Sequence, residues 1–560
     1  MKKVKEKLNF IENIIKEDLK NKYTKKNLKF RFPPEPNGFL HIGHVKAMEL
    51  NFSLGKKYKS DVNLRFDDTN PLKENINYVN EIIENLKWLG YKYKKICYAS
   101  DYFEKLYNWA IYLIKNSKAY VDSQDSERIA EQKGTPYKKG KNSPFRDRSI
   151  EENLELFNNM KNGKYKEGEH VLRAKIDMSS PNMLMRDPVM YRILYKEHFR
   201  TKNNWCIYPL YDWTHGQSDY IEKISHSLCS LEFRPHRDLY DWFLKQLPDS
   251  KYKKPKQIEF ARLNLSYTVM SKRKLSFLVD KGIVDGWDDP RMPTISGLRR
   301  RGYPSTALRK FVEIAGIAKR ENIIDIALLD FCAREELNKT SNRLMVVSNP
   351  LKVVISNYES EGEELYGENN PEDKSQGERK IRFSKEIYIE KEDFKEISNR
   401  KFHRLSIGKE VRLKNAYIIK AERVIKNSKG EIKEVHCTYD KKSKSGSGTL
   451  ESQRKVKGTI HWVDKKSSIP VKINKYESLF LNEMPDTEKN EEMLKNINDN
   501  SLEVLEGFAE KAVLKCKPEQ KFQFQRLGYY IVDKKSDKSN IIFNKTVSLR
   551  EKRISRNPQY

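Results

Sequence analysis

Apolar and polar positions in the first hundred residues follow a pattern that predicts strand, loop and helix in turn. Residues 28–32 alternate as a half-buried strand does, and the segment PPEPNG then turns the chain. Apolar residues recur at helical spacing over 42–52. A second alternating run at 62–66 ends in DDTNP, and a helical pattern follows over 76–90. This predicts a β-α-β unit, whose ligands bind beyond the carboxyl ends of parallel strands.

The pattern changes three more times along the chain. Residues 101–204 form a mixed segment, which we interpret as an insertion, because strand-like spacing resumes over 205–260. Helical periodicity dominates 261–338, and 339–560 contains many short apolar runs separated by polar loops. We therefore predict a multidomain α/β plus all-β protein. Its expected parts are a Rossmann-like parallel-sheet domain (1–100 and 205–260), an inserted domain (101–204), a helical section (261–338) and a C-terminal half whose short strands suggest barrels or sandwiches (339–560).

Composition narrows the class of partner. The 560 residues carry a formal net charge of +30, which favours a polyanionic partner, nucleic acid before an acidic membrane. A bias toward lysine in the source genome is the alternative explanation. The six cysteines include no C-x-x-C pair, which argues against a zinc site and indicates reduced thiols. Without a signal-like or membrane-spanning apolar stretch, we expect a soluble cytoplasmic protein with no membrane partner. We also expect a monomer.

Two short motifs have the chemistry of a phosphate site. His-Ile-Gly-His at 41–44 opens a predicted helix after a strand, where free N–H groups and the helix dipole favour phosphate. Met-Ser-Lys-Arg-Lys at 270–274 places a lysine, expected in a mobile loop, where it could close on phosphates. The alternative is a capped helix with incidental histidines and a basic surface loop. A metal site is not expected, because no third ligand is spaced to join the histidines.

With these motifs, and with RFPPEPNG, LRFDDTNP, GKNSPFRDRS, LRAKIDM, WCIYPLYDWTH, HSLCSLEF, GWDDPRMPTISGLRRRGY and GKEVRLKNAYIIKAERV, the chain resembles the class I aminoacyl-tRNA synthetases over nearly its whole length. The similarity is to their glutamyl/glutaminyl subclass. It implies an ATP-dependent ligase that forms an aminoacyl-adenylate and transfers the acyl group to the 2′-hydroxyl of the terminal tRNA adenosine. The implied ligands are L-glutamine, tRNA(Gln), ATP and the Mg²⁺ that accompanies ATP, with no protein-bound zinc.

The resemblance also implies roles for individual residues. Catalysis is assigned to His41, His44 and Lys272, which would stabilise charge on the α-phosphate and the departing pyrophosphate. ATP binding is assigned to Glu35, Pro36, Asn37, His41, Gly43, His44, Arg262, Leu263, Met270, Ser271 and Lys272. Glutamine binding is assigned to Arg31, Asp67, Tyr211, His215 and Gln257. For Asp67, Tyr211 and Gln257 a purely structural hydrogen bond is the alternative.

The resemblance implies that the parallel-sheet domain is catalytic and that the β-rich half (339–560) forms two β-barrels that read the tRNA anticodon. The positions that match the family's anticodon-binding residues are Arg343, Arg404, Arg412, Lys414, Gln523 and Arg526, with plain phosphate contact as the alternative. Lys414 stands where a familiar bacterial pattern has arginine. This replacement keeps the positive charge but loses the planar guanidinium, which can donate two parallel hydrogen bonds. Pro136 and Pro235 stand where that pattern has a leucine wedge and an acidic reader of the acceptor stem. The inserted domain is expected to bind the acceptor stem, although these two departures put its base discrimination in question.

The sequence leaves two alternative functions open. One is glutamate ligation by an enzyme of the same subclass, which would share both motifs and the β-barrel half. The other is a tRNA-binding paralogue without catalysis, which would be expected to lack His41, His44 or Lys272.

Overall fold

The computed structural model describes residues 8–248 and 252–550. It divides into two compact units. The first runs to Asn264 and includes Val312–Ile323, and the second comprises Leu265–Phe311 and the chain from Ile324 onward. The four predicted domains are a finer division, which stays a prediction.

A parallel sheet begins the first unit, and its strands follow the order predicted from the sequence. The β-α-β expectation is confirmed by strands and helices that alternate in chain order: Lys29–Phe32, Ile42–Tyr58, Asp61–Phe66, Ile76–Leu89 and Ile96–Tyr98. Gly55 allows helix Ile42–Tyr58 to lie close to strand Asp61–Phe66, because a Cβ there would overlap Cγ2 of Val62.

Two further parallel strands, His226–Ser230 and Lys256–Phe260, complete this part of the unit. The backbone N–H of Ser225 donates to the carbonyl of Lys29 at 3.0 Å, which brings the start of the later pair beside the first strand. Residues from both ends of the unit therefore meet at one place.

A four-stranded antiparallel sheet forms from the middle of the unit. Its strands are Ala119–Asp122, Val171–Ala174, Val189–Ile193 and Ile207–Pro209. The strand predicted near Ile207 is present, but it pairs with this sheet and ends at Pro209, because Leu210 caps the next helix. The helices of this unit, besides those above, are Phe10–Asn21, Phe103–Lys115, Ser126–Lys133, Ile150–Lys161, Tyr211–Ile221 and Arg237–Lys245.

The second unit contains two seven-stranded sheets, which confirm the predicted pair of C-terminal barrels. One consists of Pro350–Ile355, Glu386–Glu390, Glu410–Leu413, Ile418–Lys426, Ile432–Tyr439, Thr459–Ile460 and Trp462–Asp464. The other consists of Asn342–Leu344, Val346–Val347, Ile469–Tyr476, Leu502–Ala509, Lys521–Phe524, Gly528–Val532 and Ile542–Ser548. Each encloses its own hydrophobic core.

Helices precede these barrels, as the periodicity predicts. The longer ones are Lys272–Asp280, Ile295–Arg301, Ser305–Ala315 and Ile326–Thr340. Two short helices, Leu450–Gln453 and Asn490–Lys495, come later in the chain, between barrel strands. The remaining short strands are Asn264–Leu265, Ile323–Ile324, Glu363–Glu368, Glu378–Phe383, Phe394–Lys395 and Leu405–Ser406. Within the described parts of the chain, no helix is both long and apolar enough to cross a membrane.

Candidate active site and tRNA interface

The histidine pair caps the first long helix. His41 is the N-cap residue of helix Ile42–Tyr58, and its Nδ1 accepts the backbone N–H of Gly43 at 3.1 Å. The N–H of His41 itself donates to Nδ1 of His44 at 3.1 Å, and the two rings lie 4.0 Å apart. Because both Nδ1 atoms accept hydrogen bonds, each neutral ring carries its proton on Nε2. The pair is thus held as two Nε2 donors at a helix N-terminus, a suitable arrangement for an anionic ligand.

The loop before this helix holds three other predicted ATP residues. Asn37 donates from Nδ2 to Oε2 of Glu35 at 2.5 Å, and the carbonyl of Pro36 accepts from the N–H of Asn75 at 3.2 Å. Gly43 lies in the first turn of the helix. In the same unit, Arg262 is paired with Glu321, Nε to Oε1 at 3.4 Å, and Leu263 is buried beside it. These contacts leave the assigned ATP roles as predictions.

A fully buried charge network lies where the parallel strands meet the helix Tyr211–Ile221. Arg31 donates through Nε to Asp219 (3.1 Å) and through Nη2 to Oγ of Ser227 (2.6 Å) and to Nε2 of His215 (2.9 Å). Its Nη1 donates to the carbonyl of Leu228 at 2.9 Å. Each of the three guanidinium nitrogens of Arg31 therefore has a hydrogen-bond partner within the protein, and its role in glutamine binding stays a prediction.

A second arginine completes this network. Arg65 donates through Nε to Asp67 and through Nη1 to Asp219, both at 2.6 Å, and its Nη1 lies 3.4 Å from Glu222. Its Nη2 faces Nδ1 of His215 at 3.1 Å. Buried charges are tolerated only when they are paired in this way. Neither Arg65 nor Asp219 was predicted from the sequence.

Asp67 and His215 meet directly. Nδ1 of His215 lies 3.2 Å from Oδ2 of Asp67, and the rings of His215 and Tyr211 stack with centroids 4.8 Å apart. Burial alone would raise the pKa of Asp67, but Arg65 and His215 outweigh it and hold the pKa below its usual value. Burial, with the Asp67 carboxylate nearby, raises the pKa of Tyr211 well above its usual value. The site thus combines an ionised carboxylate with a neutral phenol.

The neighbouring aspartate behaves in the opposite way. Asp68 accepts from the backbone N–H of Ser100 at 2.9 Å and from its hydroxyl at 2.6 Å. Burial raises the pKa of Asp68 to about 7, because its nearest guanidinium nitrogen, on Arg200, is 3.9 Å away. The contact with Arg65 therefore explains why the pKa of Asp67 is lowered while that of Asp68 is raised.

Gln257 is linked to the site through Phe233, whose backbone carbonyl it contacts. Its Nε2 donates to the carbonyl of Phe233 at 3.0 Å and to Oε1 of Glu259 at 2.9 Å. The Phe233 ring lies 5.4 Å from that of Tyr211. The structure thus brings Arg31, Asp67, Tyr211 and His215 into one network and places Gln257 one residue removed from it.

The lysine motif lies in the second unit, and Lys272 begins the helix Lys272–Asp280 instead of lying in an open loop. Asp486 fixes the preceding backbone, since its carboxylate accepts the N–H of Met270 at 3.1 Å and that of Ser271 at 3.3 Å. Lys274 is buried and donates to the carbonyl of Glu488 at 2.7 Å. The motif is therefore held in place by its own unit.

Two of the predicted anticodon residues are adjacent on neighbouring strands. Arg343 pairs in register with Gln523, and its Nη2 donates to the carbonyl of Asn338 at 2.9 Å. Oε1 of Gln523 is buried without a hydrogen-bond partner in the described structure. A buried amide oxygen in that state is uncommon in a native protein, and the anticodon role assigned to Gln523 stays a prediction.

Arg412 and Lys414 lie two residues apart on and just after a strand of the other barrel. The guanidinium of Arg412 donates to the carbonyls of Ser443 (3.1 Å) and Ser452 (2.8 Å), whereas Lys414 is exposed. Arg412 therefore also stabilises the loop beside it.

Arg404 and Arg526 both line an open cavity of about 750 Å³ in this unit. Five of its eleven lining residues are lysine or arginine, and one, Glu392, is acidic. The basic side chains at its wall are Lys395, Lys401, His403, Arg404, Lys457 and Arg526. Behind the two arginines lies Asp393, which the sequence did not single out.

In the described residues, no group of three or more His, Cys, Asp and Glu side chains is arranged to hold a metal ion. The six cysteines form no disulfide.

Three family models of one class match most of the chain. The model described as "tRNA synthetases class I (E and Q), catalytic domain" matches residues 27–339, and two models of the anticodon-binding domain of the same class match residues 341–440 and 459–533.

Among curated proteins, the chain is 51% identical over 544 residues to the glutamine–tRNA ligase of Clostridium kluyveri, covering 97% of each chain. It is 52% identical over 546 residues to that of Clostridium perfringens, covering 97% of this chain and 98% of the relative. A solved glutamate tRNA ligase from Elizabethkingia meningosepticum has a TM-score of 0.43 and 18% identity, covering 57% of this chain and 71% of that one.

Proposed function

This chain belongs to the class I (E and Q) tRNA synthetases and is therefore an aminoacyl-tRNA synthetase, and we propose that it ligates L-glutamine to tRNA(Gln) at the expense of ATP. The observation that carries the proposal is the continuous similarity, near 50% identity over 97% of the chain, to relatives named glutamine–tRNA ligase. The buried network of the first unit supports it, because an ionised Asp67 is the partner that an amino acid's α-ammonium group requires.

In the proposed first step, one oxygen of the glutamine carboxylate attacks the α-phosphorus of ATP, and the bond from that phosphorus to the bridging oxygen of pyrophosphate breaks. The product is glutaminyl-adenylate. His41, His44 and Lys272 would stabilise the negative charge that develops on the phosphates. Magnesium would enter as part of the MgATP substrate, so no residue of this chain is assigned to hold it.

In the second step, the 2′-hydroxyl of the terminal adenosine attacks the acyl carbon, and AMP leaves. No protein nucleophile is needed, because both steps depend on positioning and electrostatics. The anticodon-binding residues proposed for this tRNA are Arg343, Arg404, Arg412, Lys414, Gln523 and Arg526.

Recognition of the side-chain amide would depend on Tyr211 and Gln257. An amide offers both a donor and an acceptor, so its site must present both, whereas a carboxylate presents acceptors alone. The neutral phenol of Tyr211 can donate to the amide oxygen. A glutamate ligand would leave site groups unpaired, which weakens binding strongly in a buried site. Arg31 and His215 are proposed to hold Asp67 and Tyr211 in position.

The test is aminoacylation of a tRNA(Gln) transcript with ATP and either glutamine or glutamate, followed by acid-urea gel analysis. We expect charging with glutamine, and no charging when ATP is omitted. Preferential charging with glutamate would replace the proposal with glutamate ligation. Binding of tRNA without charging by either amino acid would identify a non-catalytic paralogue.

A further inference from the structure

A buried aspartate lies behind the two cavity arginines of the second unit. Asp393 is 1% exposed and ends the short helical turn Lys391–Asp393. Its Oδ1 accepts from Nη2 of Arg526 at 2.8 Å, and its Oδ2 accepts from Nη1 of the same guanidinium. The same Oδ1 lies 3.4 Å from Nε of Arg404. One carboxylate therefore contacts both arginines.

The backbone at Arg526 indicates that its side chain is required at this position. Arg526 has φ = +68° in the turn between strands Lys521–Phe524 and Gly528–Val532. A left-handed conformation is unfavourable for a residue with a side chain, and glycine would avoid this cost. The bidentate pair with a buried carboxylate is strong enough to offset this conformational cost.

A second layer supports this pair. Nδ1 of His461 faces Nη1 of Arg526 at 3.4 Å, and its Nε2 lies 3.5 Å from Oε1 of Glu390. His461 and Glu390 are both buried. The side chain of Arg526 remains 31% exposed and that of Arg404 remains 42% exposed. Each guanidinium is therefore held from behind while part of it stays accessible at the cavity wall.

We propose that Asp393 is a positioning residue for tRNA recognition: it fixes Arg404 and Arg526 so that they present hydrogen-bond donors, in a set geometry, to an unpaired anticodon base in this cavity. The inference rests on the proposed function, since it needs tRNA as the ligand. It goes beyond that function because it assigns part of the selectivity to a residue that does not touch the RNA.

The proposal predicts the opposite sign from simple electrostatics. RNA is a polyanion, so removal of an aspartate near its binding surface should strengthen binding if charge alone mattered. If Asp393 positions the arginines, its removal should weaken binding, because an unconstrained guanidinium loses the geometry that a base edge requires.

The experiment compares Asp393→Asn with the full-length wild type. Dissociation constants are measured for a tRNA(Gln) transcript and for three transcripts that each carry one altered anticodon base. We expect Asp393→Asn to weaken binding of tRNA(Gln) about 10-fold and to reduce its preference over at least one altered transcript, the scale of one good base contact. In aminoacylation the KM for tRNA should rise, while the KM values for glutamine and ATP stay unchanged.

The matched control is Glu392→Gln. Glu392 is the adjacent acidic residue and its side chain lines the same cavity, whereas its contact with Arg404 is through the backbone carbonyl. This variant should bind tRNA(Gln) as tightly as the wild type or more tightly, with unchanged selectivity. A second variant, Arg526→Lys, keeps the charge but cannot form the bidentate pair, and it should reproduce the loss of selectivity even if Asp393→Asn fails to fold.

The inference is overturned if Asp393→Asn binds all four transcripts like the wild type, or more tightly, or if Arg526→Lys keeps full selectivity. If the variants behave in this way while the wild type charges tRNA(Gln) with glutamine, the inference is wrong and the proposed function stands. A wild type that neither binds nor charges tRNA would remove the proposed function and the inference together.

Discussion

Arg65 contacts three buried carboxylates, those of Asp67, Asp219 and Glu222, with one guanidinium. Removing one partner of a buried pair leaves uncompensated charge in a medium that cannot solvate it. We expect Arg65→Met to destabilise the sheet around it by about 3–5 kcal/mol. Hydrogen exchange of the peptide spanning residues 61–66 measures this local free energy of opening.

The control for that prediction is an exposed ion pair to the first residue of the same strand. Lys94 forms an exposed ion pair with Asp61 at 3.8 Å, and such pairs contribute about 0–1 kcal/mol. Lys94→Met should therefore leave the exchange of the same peptide nearly unchanged. Equal effects of the two substitutions would show that the network is not what stabilises the strand.

Lys272 has a phosphate role in the proposed mechanism that differs from a role in RNA binding. Losing one preplaced donor to a developing charge typically slows a reaction about 100- to 1,000-fold. We expect Lys272→Ala to slow adenylate formation by about this factor, measured as pyrophosphate exchange with tRNA present, while the Kd for tRNA changes less than about 2-fold. Lys281→Ala, at the other end of the same helix, should change neither quantity. Parallel losses in exchange and tRNA binding would contradict the assignment.

His226 gives the first unit a dependence on pH. Its ring is buried, with Nε2 3.2 Å from Asp18 and Nδ1 3.0 Å from the hydroxyl of Ser225. Burial lowers its pKa to about 4, although Asp18 acts in the opposite direction. The pKa is about 6.5 in an unfolded chain, so the neutral ring stabilises the fold fully above that pH, and the contribution is lost as the pH falls toward 4.

The measurement is the thermal midpoint of the wild type and of His226→Gln at pH 7.5 and pH 5. Glutamine keeps hydrogen bonding at this position but cannot titrate. The drop in midpoint between the two pH values should therefore be smaller in the variant. An identical drop in both proteins would assign the acid sensitivity to other groups.

At the scale of elements, a single buried side chain organises the loop of residues 133–141. Nη1 of Arg186 donates to the carbonyls of Lys133 (2.7 Å), Thr135 (2.9 Å) and Lys138 (2.9 Å), and its Nε donates to that of Ser180 (2.7 Å). This arrangement presents Tyr137 fully exposed at the tip of the loop.

We expect Arg186→Met to release this loop, because three carbonyls lose a buried donor at once. Trypsin should then cleave after Lys138 or Lys139 at least about 10-fold faster, as mass spectrometry of limited digests would detect. Arg128→Met is the control, since Arg128 forms an exposed pair with Asp125 in the same segment. Unchanged cleavage in Arg186→Met would mean that the loop holds its shape without this residue.

The alternation of apolar and polar residues predicted the strands that bury an apolar face. It failed for strands that bury only a few residues or polar ones. Strand Pro350–Ile355 alternates buried and half-buried residues, and its apolar pattern predicts this. Strand Glu363–Glu368 lies in a polar segment that shows no clear alternation, yet it pairs with Glu378–Phe383 and buries Leu365 and Gly367. Two buried positions among charged ones are too few to give a visible pattern.

The same limit applies to the site. Arg31 and Asp67 could be singled out because they lie in motifs that the family resemblance carries. Arg65 lies in the same motif as Asp67, but its partner Asp219 is 154 positions away, and nothing local indicates that the two pair. One signal was available: Asp219 lies four residues after His215 in a helix, so both side chains share a face. A buried charge network is visible only when the strands that supply it are placed side by side.

At the scale of the whole molecule, the excess of 109 basic over 79 acidic residues has two explanations, a polyanionic partner or a compositional bias. They differ in how binding responds to salt. Basic residues that contact phosphates release counterions from RNA, so the logarithm of the binding constant falls linearly with the logarithm of salt concentration. Basic residues scattered by compositional bias release few.

We expect the Kd for tRNA(Gln) to rise at least about 100-fold between 50 and 200 mM salt, consistent with several phosphate contacts. The KM for glutamine, a net-neutral ligand bound beside a buried network, should change less than about 2-fold over the same range, because buried pairs are screened much less than exposed ones. A tRNA affinity that hardly responds to salt would favour compositional bias. Loss of both affinities together would indicate that salt unfolds the protein, which a thermal midpoint at each salt concentration would reveal.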